Sequence, residues 1–333
     1  MYSTIVVPLD GSALSERAVP TALVLARRGS ATLLLIHVRE SAVRPAGALL
    51  LDSRFDDEAE RHAQARVSSM ADTIARESGL AAQAVFLDGE IAPTVQAYAA
   101  ARGTDLIVMT THGRGGISRL WLGSVADELV RRSTAPILLI RPDVEGAPDV
   151  SEPLFHRILV PLDGSPRAEE VLTHAAALGT PGHTEYLLLR VLAPRTSADL
   201  FPSVATMLAP DELARRLAGV HARADAYLAG VAASFREIGA QVTTHTALQA
   251  QAAREILEFA REQSVDLIAL STRVRSTTER LLIGSVADKV LRGTAGPVLV
   301  CGPRIEVAAS SHLERASAAA TAPRSTNPPG PPP

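Results

Sequence analysis

Two short stretches of this sequence, each placed after an apolar run, are rich in glycine and hydroxyl side chains. The first is the tripeptide Asp10-Gly11-Ser12. A carboxylate at the end of a strand can accept hydrogen bonds from ribose hydroxyls or from the amino group of a base. The same tripeptide also suits a plain turn, in which Gly11 gives the backbone freedom and Ser12 caps the next helix. The sequence is compatible with both roles.

The second stretch is a glycine-rich loop at residues 110–116, which precedes Gly123 and Ser124. Glycines let backbone amides approach a phosphate closely, and a helix N-terminus adds N–H donors and a partial positive charge. We therefore expect the loop and the start of the following helix to cradle phosphates. Ser124 also stands three residues before Asp127, which is a helix-capping pattern. The capping role does not exclude contact with a ligand.

Both stretches belong to a longer internal repeat. Residues 5–12 return at 158–165, and residues 122–127 return at 283–288, in the same order and at similar spacing. The chain is therefore a tandem duplication of one domain. Each candidate residue in one copy can be compared with its counterpart in the other.

Composition excludes several classes of protein. The chain has 333 residues, 47% of them hydrophobic, and a net charge of −3, which fits about two globular domains and argues against a nucleic-acid partner. The only cysteine is Cys301, so an internal disulfide is impossible and a cytoplasmic location is expected. No apolar run approaches the roughly 18 residues of a membrane span, and no signal-peptide pattern is present. The only lysine, Lys289, lacks a P-loop context.

Apolar runs alternate with stretches of helical periodicity, which indicates βα units. The predicted fold is α/β: two tandem Rossmann-like domains, each a five-stranded parallel doubly wound sheet with strand order 3-2-1-4-5. Ligands of such sheets bind at the carboxyl ends of the strands, at the switch point, where both glycine stretches should meet. The predicted strands cover residues 5–9, 33–38, 84–87, 106–110 and 137–140, then 158–162, 186–191, 241–246, 267–271 and 298–301.

Four segments follow from this pattern. We expect a first domain at residues 1–141 and a second at 157–303, called here the first half and the second half. Residues 142–156 carry several prolines and a glycine and are interpreted as a linker. Residues 304–333 are small, polar and proline-rich, and are predicted to be a disordered tail.

The sequence resembles the universal stress protein family across nearly all of both halves. The resemblance is carried by residues 7–12, 36–38, 105–109, 111–116 and 122–126. It implies the Rossmann-like fold and, for ATP-binding members, a motif of G-x-x-G, nine residues, then G-[ST]. Gly113 matches the second glycine of that motif and Gly123-Ser124 its end, whereas Thr110 replaces the first glycine.

By this resemblance, Asp10 contacts ribose or adenine, and the backbone of Val38 contacts adenine. The implied ligand is ATP, with Mg²⁺ or Mn²⁺ as candidate ions. The resemblance also implies that the halves pack as an intramolecular pseudo-dimer through their last strands, and a homodimer of two chains remains open. The remaining residues of the expected first-half nucleotide site are Pro8, Met109, Thr110, Gly113, Arg114, Gly123, Ser124 and Val125.

The second half departs from the motif, because Val274 stands where Gly113 stands. A β-branched residue resists positive φ, and the resulting strain would be ~1–3 kcal/mol. Arg273 and Arg275 could offset part of this cost through contacts to phosphate. We therefore expect a weak or silent second site, formed by Asp163, Val191, Gly284, Ser285 and Val286.

Three functions remain open at this point. The first is an ATP-binding regulatory module of the stress response. The second is a slow ATP hydrolase, for which the only evident general bases are His112 and Asp10. The third is a nucleotide-free scaffold, which Thr110 and Val274 favour.

Overall fold

The computed structural model describes residues 1–40, 50–111, 122–141, 154–193, 210–237, 239–272, 275–277 and 280–302. In the first half its strands are β1 (Thr4–Pro8), β2 (Thr32–Arg39), β3 (Ala82–Asp88), β4 (Leu106–Thr110) and β5 (Ile137–Ile140). The helices of the first half are α1 (Ala13–Glu16), α2 (Ala18–Gly29), α3 (Leu50–Ser78), α4 (Ile91–Ala101) and α5 (Ser124–Arg132).

The second half repeats these elements and adds a short hairpin. Its helices are α6 (Pro166–Leu178), α7 (Pro210–Glu237), α8 (Ala252–Glu262) and α9 (Ser285–Gly293). The strands of the second half are β6 (Arg157–Pro161), β7 (Glu185–Leu192), β8 (Gln241–Leu248), β9 (Leu267–Ser271), β10 (Arg275–Thr277), β11 (Arg280–Leu282) and β12 (Val298–Cys301).

The strands form one continuous ten-stranded sheet, in the order β3-β2-β1-β4-β5-β12-β9-β6-β7-β8. Within each half the order is the predicted 3-2-1-4-5, and every pairing is parallel. The two halves meet at their last strands, where β5 and β12 pair antiparallel, with Leu138 opposite Leu299. Two edges that would otherwise expose unpaired backbone groups are thereby covered.

Helices cover both faces of the sheet. One apolar cluster packs the inner sides of α2, α3, α6 and α7, and the other packs those of α4, α5, α8 and α9. Alternate residues of β1 illustrate the period of a strand, since Ile5 and Val7 join the first cluster and Val6 the second. The central strands are buried on both sides, which explains why they are continuously apolar in the sequence.

Polar contacts between the halves flank the β5–β12 seam. Arg28 Nη1 donates to the carbonyl of Leu178 at 3.1 Å. On the other side, Arg141 Nη2 donates to the carbonyl of Leu291 at 2.5 Å, and Arg141 is buried. These bonds join segments that are 150 residues apart in the chain.

Several predictions made from the sequence can be compared with these elements. The strand predictions are confirmed to within a few residues. The antiparallel β10–β11 hairpin was not predicted. Phe155, in the predicted linker, is buried and its carbonyl accepts from Thr184 Oγ1 at 2.7 Å. Residues 142–153 of that linker and the predicted tail lie outside the described residues.

Candidate functional site

The tripeptide at the end of β1 forms a tight turn. The Ser12 amide donates to Asp10 Oδ1 at 2.9 Å, and the Ser15 amide donates to Ser12 Oγ at 3.2 Å, so Ser12 caps α1 as predicted. Gly11 has a φ of +77°, a conformation that side chains with a Cβ resist. The turn holds the Asp10 carboxylate at the carboxyl end of the sheet.

The copy in the second half has the same geometry. The Ser165 amide donates to Asp163 Oδ1 at 2.9 Å, and the Ala168 amide donates to Ser165 Oγ at 3.2 Å. Gly164 has a φ of +79°. Pro166 occupies the first helical position of α6, as predicted.

The other first-half candidates gather around the same end of the sheet. Val38 on β2 and Met109 on β4 belong to one apolar cluster, and Val125 of α5 packs against it. Pro8 and Thr110 end the adjacent strands β1 and β4. Two further members of the predicted site, Gly113 and Arg114, lie outside the described residues.

The starts of α5 and α9 differ from the prediction. Gly123 and Gly284 are the N-caps, and no side chain caps either helix. Ser124 and Ser285 occupy the first helical position instead, so the predicted serine caps are wrong. A glycine N-cap leaves the first amides of the helix without a side-chain acceptor, which suits an anionic ligand. The Gly123 amide itself donates to the Thr111 carbonyl at 2.8 Å and ties α5 to the end of β4.

The acidic residues of the capping pattern bind arginines rather than backbone amides. Asp127 accepts from Arg131 at 2.7 and 3.0 Å, and Asp288 accepts from Arg292 at 3.0 Å. Arg292 also reaches across the seam to Asp127 at 3.3 Å. The hydrogen bond that Arg131 donates to Asp127 raises the pKa of Arg131 above its ordinary value, against the effect of burial. Helices α5 and α9 are therefore linked by an alternating set of charges.

A cavity of about 700 Å³ opens at the carboxyl end of the second-half strands. Its walls come from the ends of β6, β7 and β9, from α8 and from the start of α9. Apolar side chains form much of its lining, among them Leu189, Ile256 and Leu270. The cavity also brings together every residue predicted for the second site, namely Asp163, Val191, Gly284, Ser285 and Val286.

Two polar residues of this cavity were missed from the sequence. Arg167 Nε donates to the Thr272 carbonyl at 3.1 Å, but Arg167 Nη2 is buried without a hydrogen-bond partner. Ser271 Oγ, at the end of β9, is also buried and unpartnered. Alignment of the two halves contains a signal for Arg167, because Leu14 occupies the same position of the repeat.

His37, next to Val38, is buried between two acceptors. Its Nδ1 lies 2.8 Å from the Leu9 carbonyl, and its Nε2 lies 3.1 Å from both carboxylate oxygens of Glu60. Burial raises the pKa of Glu60, but hydrogen bonds from His37 and Gln64 outweigh burial and hold that pKa below its ordinary value. His37 thus has a structural role beneath the Asp10 turn.

The described residues hold no helix that is long and apolar enough to cross a membrane. Nor does this part of the chain place three His, Cys, Asp or Glu side chains where they could hold a metal ion.

Comparison with known proteins places these features in a family. The sequence model of the universal stress protein family matches residues 1–141 and 154–302. A universal stress protein of Mycolicibacterium smegmatis is 28% identical over 307 residues, which cover 90% of this chain and 97% of the relative.

A solved structure supports the fold, and a second one bears on ligands of the family. A universal stress protein from Archaeoglobus fulgidus has a TM-score of 0.60 and 20% identity, and the match covers 90% of this chain and 98% of that structure. Another universal stress protein, solved in complex with cAMP, is 26% identical, with a TM-score of 0.28, and covers 43% of this chain and 98% of its own.

Proposed function

This chain belongs to the universal stress protein family, and we propose that it is a cytosolic regulatory module that binds ATP, with the better site in its first half. The observation that carries the proposal is the position of Asp10 and Thr110 at the ends of two adjacent strands, with the glycine N-cap of α5 tied to the second strand. This is the switch point of the sheet, where doubly wound folds bind their ligands.

The proposed binding mode divides the nucleotide among three surfaces. The apolar surface of Val38 and Met109 receives the base, and the Asp10 carboxylate accepts hydrogen bonds from ribose hydroxyls. The first-turn amides of α5, together with the loop that contains Gly113, hold the phosphates. This binding mode assigns the Asp10 carboxylate to the ribose and not to an attacking water, so we propose binding and regulation rather than turnover.

Occupancy of the site would act on the fold itself. A ligand that binds only the folded chain stabilises it by ~2.7 kcal/mol at a hundredfold excess over the dissociation constant. We propose that the two halves form an intramolecular pseudo-dimer, so that the seam carries this stabilisation from one half to the other. The physiological readout would be a partner that recognises the stabilised state.

Two measurements test the proposal. Purified protein is heat-extracted and the supernatant chromatographed against ATP, ADP and cAMP standards; calorimetry then follows the titration of nucleotide-free protein with ATP. We expect adenine nucleotide in the extract and saturable heat. Failure of both would leave a nucleotide-free scaffold as the function.

The decisive variant is Asp10→Asn. Asparagine retains the oxygen that accepts from the Ser12 amide, so the turn survives while the charge is lost. We expect first-half affinity for ATP to fall on the order of tenfold, or ~1.4 kcal/mol. Asp88→Asn is the matched control, because the Asp88 carboxylate is exposed and paired with Arg39 outside the proposed site.

A further inference from the structure

We propose that the second-half cavity is a phosphate-binding site in which the guanidinium of Arg167 replaces the glycine loop, so that this half also holds a nucleotide. The inference rests on the proposed function and identifies the group that would bind the anion in the copy predicted to be weak or silent.

The first observation is the unpaired end of Arg167. Its Nε is used by the Thr272 carbonyl, while Nη2 is buried with no partner. A buried donor on a charged group is costly to leave unsatisfied. No carboxylate among the described residues pairs with Arg167. Its positive charge is therefore available to an anion in the cavity.

The second observation is that further hydrogen-bond donors line the same cavity. The Arg167–Thr272 bond holds the guanidinium at the end of β9, beside the unpartnered hydroxyl of Ser271. The uncapped start of α9, at Gly284 and Ser285, lines the same cavity. A guanidinium, a hydroxyl and helix amides are the donors that phosphate oxygens accept from. A phosphate group bound by Arg167 would give the orphaned guanidinium nitrogen the acceptor that it lacks.

The other charged groups around the cavity do not compete for this role. Arg131 and Arg292 line it, but their guanidiniums bind Asp127 and Asp288. Asp163 lines the cavity at the end of β6, where it suits the hydroxyls of a sugar.

The shape of the lining favours a nucleotide over a bare phosphate. Leu189, Val191 and Ile256 form an apolar wall suited to a flat base. The apolar wall, the Asp163 carboxylate and the anion site together match the base, the sugar and the phosphate of a nucleotide. The volume of about 700 Å³ lies within the range of small-molecule pockets.

Each half of the chain has its own spectroscopic reporter. Lys289, the only lysine, is exposed on α9 beside Asp288. Reductive ¹³C-methylation therefore gives one side-chain NMR signal in the second half, assigned by its loss in Lys289→Arg. Trp121, the only tryptophan, precedes Gly123 by two residues, and its fluorescence reports on the first half.

The test titrates ATP into the methylated full-length chain and into Arg167→Leu, which installs the residue of the first half. We expect the Lys289 signal to saturate in the parent chain and to require at least tenfold more ATP in Arg167→Leu, while the Trp121 response is unchanged. Arg167→Lys, which keeps the charge but loses the fork, should give an intermediate value. Inorganic triphosphate should compete at the Lys289 signal in the parent chain only.

An Arg167→Leu titration identical to that of the parent at Lys289 would overturn the inference, as would no response of Lys289 at millimolar ATP. Failure of the proposed first-half site has a different signature, which is a silent Trp121 with a responding Lys289. The far-ultraviolet circular dichroism spectrum and the melting temperature of Arg167→Leu establish that the variant folds.

Discussion

Arg292 of the second half lies between two carboxylates, its own helical neighbour Asp288 at 3.0 Å and Asp127 of the first half at 3.3 Å. Because Asp127 also binds Arg131, positive and negative charges alternate across the seam. The cluster borders the second-half cavity, which both arginines line. A ligand that binds either arginine would therefore weaken an ion pair that connects the two halves.

The Asp127–Arg292 pair should couple weakly. The side chains of Asp127 and Arg292 are 27% and 33% exposed, so solvent screens their attraction. In a double-mutant cycle with Asp127→Asn and Arg292→Gln, measured by urea unfolding, we expect a coupling energy of ~0.5 kcal/mol. The coupling should shrink in 1 M NaCl. Arg254 and Glu258, paired within α8, provide the comparison pair that does not cross the seam. No coupling at low salt would contradict the contact.

Gly164→Ala should destabilise the second half through two separate effects. A φ of +79° resists a Cβ, which costs about 1–2 kcal/mol. The new Cβ would also lie 2.5 Å from Arg190 Nη1. The Arg190 guanidinium, which lies 4.8 Å from the centre of the Tyr227 ring, would then have to move. The loss of this cation–π contact should cost a further ~0.5–1 kcal/mol of stability, which is the usual value for such contacts.

Gly239→Ala separates these two effects. Gly239 has the same φ of +79°, but a Cβ there meets nothing within 4 Å. The free energy of unfolding, measured in urea, should therefore fall more for Gly164→Ala than for Gly239→Ala. Equal losses would mean that the contact with Arg190 has no energetic weight.

The partly buried Glu60 carboxylate should shape the acid stability of the first half. Its pKa is lowered in the folded chain, so its ionised form stabilises the fold above the ordinary carboxyl pKa of about 4.3, and this stabilisation is lost as the pH falls. Unfolding free energies from pH 7 to pH 3 should fall more steeply for the parent than for Glu60→Gln. Glu58→Gln, which changes a carboxylate that is 62% exposed, should follow the parent curve.

Leu14→Arg should strengthen nucleotide binding in the first half. It installs the guanidinium that the second half carries as Arg167, at the matching position of the repeat. A gain of several-fold in ATP affinity at the Trp121 signal is expected, since each charge-assisted hydrogen bond adds about 1.5–3 kcal/mol before desolvation is counted. Leu14→Gln is the uncharged control and should leave the affinity near that of the parent.

Much of the fold was predictable because its signals are local. Short apolar runs located every strand of the ten-stranded sheet, and the Ser12 cap was visible in three residues of sequence. The capping pattern predicted Ser124 as the N-cap of α5, but the N-cap is the residue before it, Gly123. The spacing of a serine and an acidic residue thus locates the first turn of a helix but not the residue that caps it.

The sequence by itself determined that one βα domain is repeated, how its strands follow one another, and which tripeptides end up at the carboxyl edge. The family resemblance implied contact through the last strands, but only the tertiary structure decided that β5 and β12 pair antiparallel, and that Arg167 reaches the carbonyl of Thr272, 105 residues away. The physical reason is that periodicity and capping depend on neighbours within one turn or strand. An orphaned guanidinium in a cavity depends on the approach of segments that no local pattern relates.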